Sequence, residues 1–194
     1  MSKVEWRYSC YPFMREKSCL VDYEIRTDSL TTQIGQAIAL LEKEEGTEEV
    51  VQIVRQIHPF AYHVNGSVRG RLAITEQDLA WLDAIYDDFT ERAGDTIKQF
   101  VLPQGSLGAT ALHTCRSEAK KSYRALHKVS EERDVPEILF KFLGLLANVF
   151  FVLVIEVNKQ QKIEEIPFKS KSYGKIENKR RKFDSPCNTY WRNC

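Results

Sequence analysis

From Ile138 to Val157 the chain reads ILFKFLGLLANVFFVLVIEV, apolar on nearly every side of a helix. A helix without a polar face must be surrounded, either at the centre of a bundle or against neighbouring subunits. Its longest uncharged part, Phe142 to Ile155, is 14 residues between Lys141 and Glu156. That is shorter than the ~20 residues of a spanning helix, so the segment reads as a buried helix and not as a membrane span. Asp134, Pro136 and Glu137 mark its start, since proline is tolerated in a first turn and acids suit the N-terminal dipole.

The other elements must supply what surrounds it. A first helix is expected over about Asp22 to Glu44, with Leu30, Ile34, Ala37 and Leu41 in one stripe and Gly46 ending it. Thr47 is placed to cap a second helix that buries Val50, Val54 and Ile57. Pro59 predicts a kink near Ile57, or a helix end followed by a restart. Gly66 and Gly70 mark a loop from Asn65. Thr75 with Asp78 resembles a capping box opening a third helix, where Leu79, Leu82, Ile85 and Phe89 face inward before Gly94.

The 194 residues, 43% hydrophobic, suffice for one well-buried domain. Five helices with short connections predict an all-α, five-helix bundle. The expected organisation is an N-terminal arm over 1–20, aromatic, without glycine and extended; the bundle over 21–158; and a tail over 159–194. The net charge of +1 conceals an asymmetry: residues 1–158 carry 18 basic and 23 acidic side chains, the tail 10 and 4. The tail's basic run, Lys169 to Lys182, lacks an aromatic stripe or an amphipathic helix, so it reads as a mobile, solvated terminus and not as a nucleic-acid contact. Five cysteines form no CxxC pair and no early apolar run marks a signal peptide, which predicts free thiols in a reducing cytoplasm. No histidine pair has metal-ligand spacing, so no metal site is expected.

The fourth helix carries the chemistry. Phe100, Val101 and Leu102 form a short extended piece, Pro103 and Gly105 force a turn, and a helix follows with Leu112, Cys115, Ala119 and Leu126 on its apolar side. Arg116, Lys120 and Arg124 recur at every fourth position, which places three cations on one stripe. Such a stripe is either a solvated face or a site for an anion.

The spelling Phe-x-Leu-Pro-x-Gly followed by Leu-His-x-x-Arg resembles the signature of the trimeric, helical-bundle class of ATP:cob(I)alamin adenosyltransferases. Phe100, Leu102, Pro103, Gly105, Leu112, His113, Arg116 and Arg124 match it in identity and spacing. The resemblance implies a cobalamin adenosyltransferase-like homotrimer with sites between adjacent subunits. It also implies a corrinoid as small-molecule partner and ATP with Mg²⁺ as the adenosyl donor. By the same resemblance Phe100 covers the lower face of the corrin and keeps ligands off the cobalt. Lys120 and Arg124 face phosphate, and Asp28, followed by Leu30, Ile34 and Gly35, pairs with Arg116 between the first and fourth helices. For Phe100, the other reading is a core side chain beside Val101 and Leu102.

This chain departs from the family pattern on the nucleotide side. The family's glycine-rich opening loop has no counterpart, because the first glycine is Gly35. Lysine replaces arginine at 120 and 121, which keeps charge but loses the guanidinium fork. Gly144, Leu145, Ala147 and Asn148 stand where the family has Asn, Arg, Ser and Asp. Two functions stay open on the sequence: adenosyl transfer from ATP to cob(I)alamin, or a non-catalytic homologue that binds a corrinoid, another planar ligand or a protein partner.

Overall fold

The computed structural model describes residues 6–171, and among them five α-helices carry the fold. They are α1 (Cys19–Leu41), α2 (Glu48–Ser67), α3 (Glu76–Ala93), α4 (Leu107–Val129) and α5 (Glu137–Gln160). The helix α1 packs against α2 and α4, while α5 packs against α4 and α3 and touches α2. The expected all-α, five-helix bundle is what forms.

The helix α5 lies inside that bundle. Leu139, Phe142, Leu143, Leu146, Val149, Phe150, Val152, Leu153 and Val157 are fully buried, so its apolar girth is largely met within one chain. It is 24 residues long, and its length and composition alone would suffice to cross a membrane. The polar Asn158 near its end is also fully buried. Where α2, α3 and α5 meet, Phe60 stacks obliquely on Trp81 and Phe142, with ring centres 5.7 and 5.6 Å away.

Local signals explain most of the boundaries. Ser18 caps α1 by accepting from the Leu20 amide, and Thr75 and Asp78 form the full capping box of α3. Gly94, at φ +55°, follows α3 in a conformation that favours glycine. Ser106 caps α4 by accepting from the Ala109 amide.

Three expectations are corrected. Of the two outcomes expected at Pro59, a helix end with a restart does not occur, since α2 continues as helix to Ser67 and takes in Asn65 and Gly66, both expected in a loop. Thr47 occupies the N-cap position of α2 without capping it; its hydroxyl donates to the carbonyls of Leu41 and Glu44, closing the end of α1 instead. From residue 6 to residue 16 the N-terminal segment is not extended. A single 3-10 turn over Trp6–Tyr8 leads into tight turns in which the Met14 amide bonds Tyr11 O and the Glu16 amide bonds Phe13 O.

The chain also continues as ordered structure past Asn158. After α5 it turns at Lys162, runs back along the segment before α4, and pairs there: Val101 bridges Pro167 antiparallel, Leu102 N donates to Ile166 O, and Phe168 N donates to Phe100 O. Most of the basic run Lys169–Lys182 lies outside the described residues, as do Cys187 and Cys194.

Candidate functional site

The start of α4 is fixed by two other helices. At the end of α1, Glu44 accepts from Ser106 Oγ at 2.8 Å and from the Gly108 amide at 2.7 Å. A carboxylate at a helix N-terminus meets both the free amides and the positive end of the dipole. Gly108 permits this closeness, since a Cβ there would lie 2.5 Å from Leu41 Cδ2. From α5, the Asn158 amide reaches the turn at residues 104–106.

Immediately before that turn, Phe100 and Leu102 stand partly in solvent, 49% and 39% exposed. The returning segment adds Ile166 and Phe168, and the Phe100 and Phe168 rings meet with centres 5.6 Å apart. Phe100 is therefore not a core side chain. With Phe168, Leu102 and Ile166 it forms an exposed apolar face, while Val101 between them is buried. The contribution of Ile166 and Phe168 could not be read from the sequence, where they fall in what looks like a solvated tail.

The cations of α4 line two grooves. One, of about 750 Å³ between α1 and α4, is walled by Arg26, Lys120, Lys121, Arg124 and Lys128, with Asp22 as the single acid. The other, of about 430 Å³, runs from Pro103 past His113 and Arg116, and shares Ser117, Lys120 and Lys121 with the first. Lys120 thus faces both. Lys121 is held by Glu118 at 2.5 Å. Arg26 and Lys128 have no family counterpart in the sequence reading and join the groove only through the packing of α1 on α4.

Arg116 is half-buried, with its guanidinium 5.0 Å above the Phe151 ring. Burial lowers its pKa, and its Nε has no hydrogen-bond partner among the described residues. Next to it, His113 Nε2 and Glu118 Oε2 are likewise buried and without a partner there. Burial, reinforced by the Arg116 charge, brings the His113 pKa down to about 4, so this imidazole is neutral at physiological pH.

The expected ion pair between Asp28 and Arg116 is not formed within the chain. Asp28 is exposed and accepts a hydrogen bond from Tyr62 on α2 at 2.8 Å. The reason is helix phase: Asp28 lies on the α2 side of α1, whereas Arg116 leans on α5. Cys115 is core, as its place on the apolar stripe requires, and burial pushes its thiol up to about 12. Among the described residues no cluster of three metal-ligating side chains exists.

Where the family's opening loop would lie, this chain has a packed arm. Phe13 lies under the Arg69 guanidinium at 3.7 Å, and Arg69 also binds Glu16 at 2.9 Å and Glu24. The Ser18 hydroxyl and the Cys19 amide bind Glu132 beyond the end of α4.

The comparisons with known proteins agree with this geometry. The family model described as cobalamin adenosyltransferase matches residues 14–157. The corrinoid adenosyltransferase of Bacillus subtilis (strain 168) is 25% identical over 146 residues, which cover 73% of this chain and 75% of the relative. Among solved structures, a variant of the PduO-type ATP:corrinoid adenosyltransferase from Lactobacillus reuteri, complexed with cobalamin and ATP, superposes with a TM-score of 0.71 at 18% identity. It covers 79% of this chain and 88% of its own. Another variant of that enzyme, complexed with ATP, gives the same TM-score at 20% identity, covering 79% and 89%. With its bundle, its Phe-x-Leu-Pro-x-Gly turn and the family model agreeing over most of its length, the chain belongs to the cobalamin adenosyltransferase family.

Proposed function

We propose that this protein transfers the adenosyl group of ATP to cob(I)alamin. One observation carries the reading: the turn that ends the exposed Phe100 face, at Pro103, also walls the groove that holds Lys120 and Arg116. A planar apolar ligand on that face and a polyphosphate in that groove would therefore be neighbours. Relatives that bind cobalamin and ATP together support the assignment of these two halves.

In this reading Phe100, with Phe168 beside it, covers the lower face of the corrin and excludes water and bases from cobalt. A cobalt without that ligand is more readily reduced to the nucleophilic Co(I) state. Cob(I)alamin then attacks the 5′ carbon of ATP; the cobalt–carbon bond forms as the carbon–oxygen bond breaks, and triphosphate leaves. Lys120, which faces both grooves, neutralises the charge gathering on triphosphate, and Arg124 adds its charge from the adjoining larger groove, contributions that grow where water is excluded. Arg116, half-buried in the wall of the groove, lends its field. Asp28 acts at a contact with another subunit, because within its own chain it faces Tyr62.

A homotrimer with sites between subunits belongs to the same proposal. The trimeric class whose signature the turn and α4 resemble supports it. The free cysteines Cys10, Cys19 and Cys115 suit a cytoplasmic setting. The test is direct: purified protein, ATP, Mg²⁺ and chemically reduced cobalamin should yield adenosylcobalamin, read by its visible spectrum. Absence of turnover with ATP and Mg²⁺ in excess would sink the proposal.

A further inference from the structure

We propose that Asn158 is a positioning residue that locks the turn joining the Phe100 face to the cationic helix α4. The inference rests on the function proposed above and assigns a role to a side chain buried away from both grooves.

Asn158 is fully buried, third from the end of α5, and each polar atom of its amide is used across the fold. Its Oδ1 accepts from the Ser106 amide at 3.3 Å. Its Nδ2 donates to Gln104 O at 3.1 Å and to Glu165 Oε1 at 2.8 Å. Its main-chain carbonyl accepts from Ile163 N at 2.8 Å. One residue therefore ties the turn before α4 to the segment that returns after α5.

Gly105 makes this possible. Its φ is +143°, and a Cβ there would stand 2.0 Å from Asn158 Oδ1. The asparagine amide thus lies flat against a backbone with no side chain between them. Leucine at 158 would suit an apolar helix, but it would leave the part-buried Gln104 O and Ser106 N without these partners. The amide carries its donor and its acceptor on separate atoms without charge, which a hydroxyl of similar size does not.

The consequence is geometric. Phe100 and Leu102 lie upstream of the turn, and Lys120 lies downstream on α4. Ser106 is held by Glu44 as well, so α4 keeps a second anchor when Asn158 is lost. The apolar segment has weaker backing: its hydrogen-bond partners are Ile166 and Phe168, whose own segment is tied to the Asn158 amide through Glu165 and otherwise to the turn only by an exposed contact from Gln104 Nε2 to Glu164 O, the Ile163 bond going to the Asn158 main chain. Loss of the amide should therefore displace the apolar face far more than the cationic stripe.

Amide hydrogen exchange on the full chain, comparing wild type with Asn158→Ala, tests the lock without any ligand. Exchange should quicken at least tenfold in residues 100–106 and 161–168, with α1, α2 and α3 unchanged. Equal protection in both proteins, or a uniform loss over all helices, overturns the proposal. Glu165→Ala serves as the milder variant if the first fails to fold, and it should release 161–168 alone.

A ligand readout then separates positioning from mere stability. The four-coordinate cob(II)alamin spectrum of the wild type, with ATP present, should weaken at least tenfold in Asn158→Ala. ATP affinity should change less than threefold. A spectrum retained in the variant overturns the positioning role. A wild type that never gives the spectrum defeats the corrinoid reading instead, and the exchange pattern alone then decides whether Asn158 locks the turn.

Discussion

Glu24 and Arg69 join α1 to the end of α2 through two parallel contacts, Arg69 Nε to Oε1 at 2.6 Å and a terminal nitrogen to Oε2 at 3.0 Å. The carboxylate is 4% exposed, and the guanidinium is further held by Glu16 and laid over Phe13. Removing one partner of such a pair strands the other away from water. Arg69→Ala, which leaves the Glu24 carboxylate buried and unpaired, should lower the free energy of unfolding by about 3 kcal/mol in urea titrations at fixed protein concentration. Glu24→Ala with Arg69→Ala together should cost less than the sum of the two single changes. Additive losses would mean that the pair is not coupled.

Lys120 and Lys121 are adjacent, yet they should respond differently to replacement. Lys121 is already neutralised by Glu118, while Lys120 faces both grooves. Lys120→Ala should weaken ATP binding about tenfold, the loss of one charge-assisted contact of about 1.5 kcal/mol. Lys121→Ala should change it less than threefold. Calorimetry at two salt concentrations measures both, and the difference should narrow as ionic strength rises.

His113 sets a pH dependence. Its pKa is about 4 in the folded chain, because burial and then the Arg116 charge disfavour the imidazolium; in the unfolded chain it returns to about 6.5. The unfolded state therefore binds the extra proton between these values. The stability tied to a neutral His113 is complete above about pH 6.5 and falls as pH drops towards 4. His113→Gln should flatten that slope. An NMR titration placing the His113 midpoint near 6.5 would remove its basis.

Gly105 cannot carry a side chain. Alanine there combines a main-chain conformation that costs about 1–3 kcal/mol with a steric overlap on the Asn158 amide. Gly105→Ala should destabilise by about 3 kcal/mol. Part of that should disappear in an Asn158→Ala background, where the overlap is gone. A melting comparison of the two backgrounds decides this.

The loop-bearing side of the site is where this chain differs most from its family pattern. Gly35, the first glycine, sits inside α1 near His58, with no role in a loop. In place of a flexible opening, the arm is clamped by Arg69 and Glu132. An arm held by its own chain supplies fewer free amides to a phosphate than a glycine loop would. In the proposed function, charge neutralisation therefore falls to α4.

Periodicity and capping were enough to place all five helices, because an apolar stripe and an N-cap are properties of neighbouring residues. The boundary at Thr75 and the stop at Gly94 follow from single side chains acting within a few residues of themselves. The family spelling around Phe100 and Arg116 could be read for the same reason: its residues are close in sequence. What lay beyond the sequence was every contact between distant segments. The side of α1 on which Asp28 sits depends on how α1 rotates against α2, and the packing chose Tyr62 over Arg116. Pro59 stayed within a helix because the packing around α2 outweighs one missing hydrogen bond, although sequence rules count proline as a break. Phe168 looked like part of a solvated tail, and only the return of the chain beneath Asn158 set it against Phe100. Local preference determined the elements; the burial of α5 and the polar atoms it carries to its end determined which of those elements share a site.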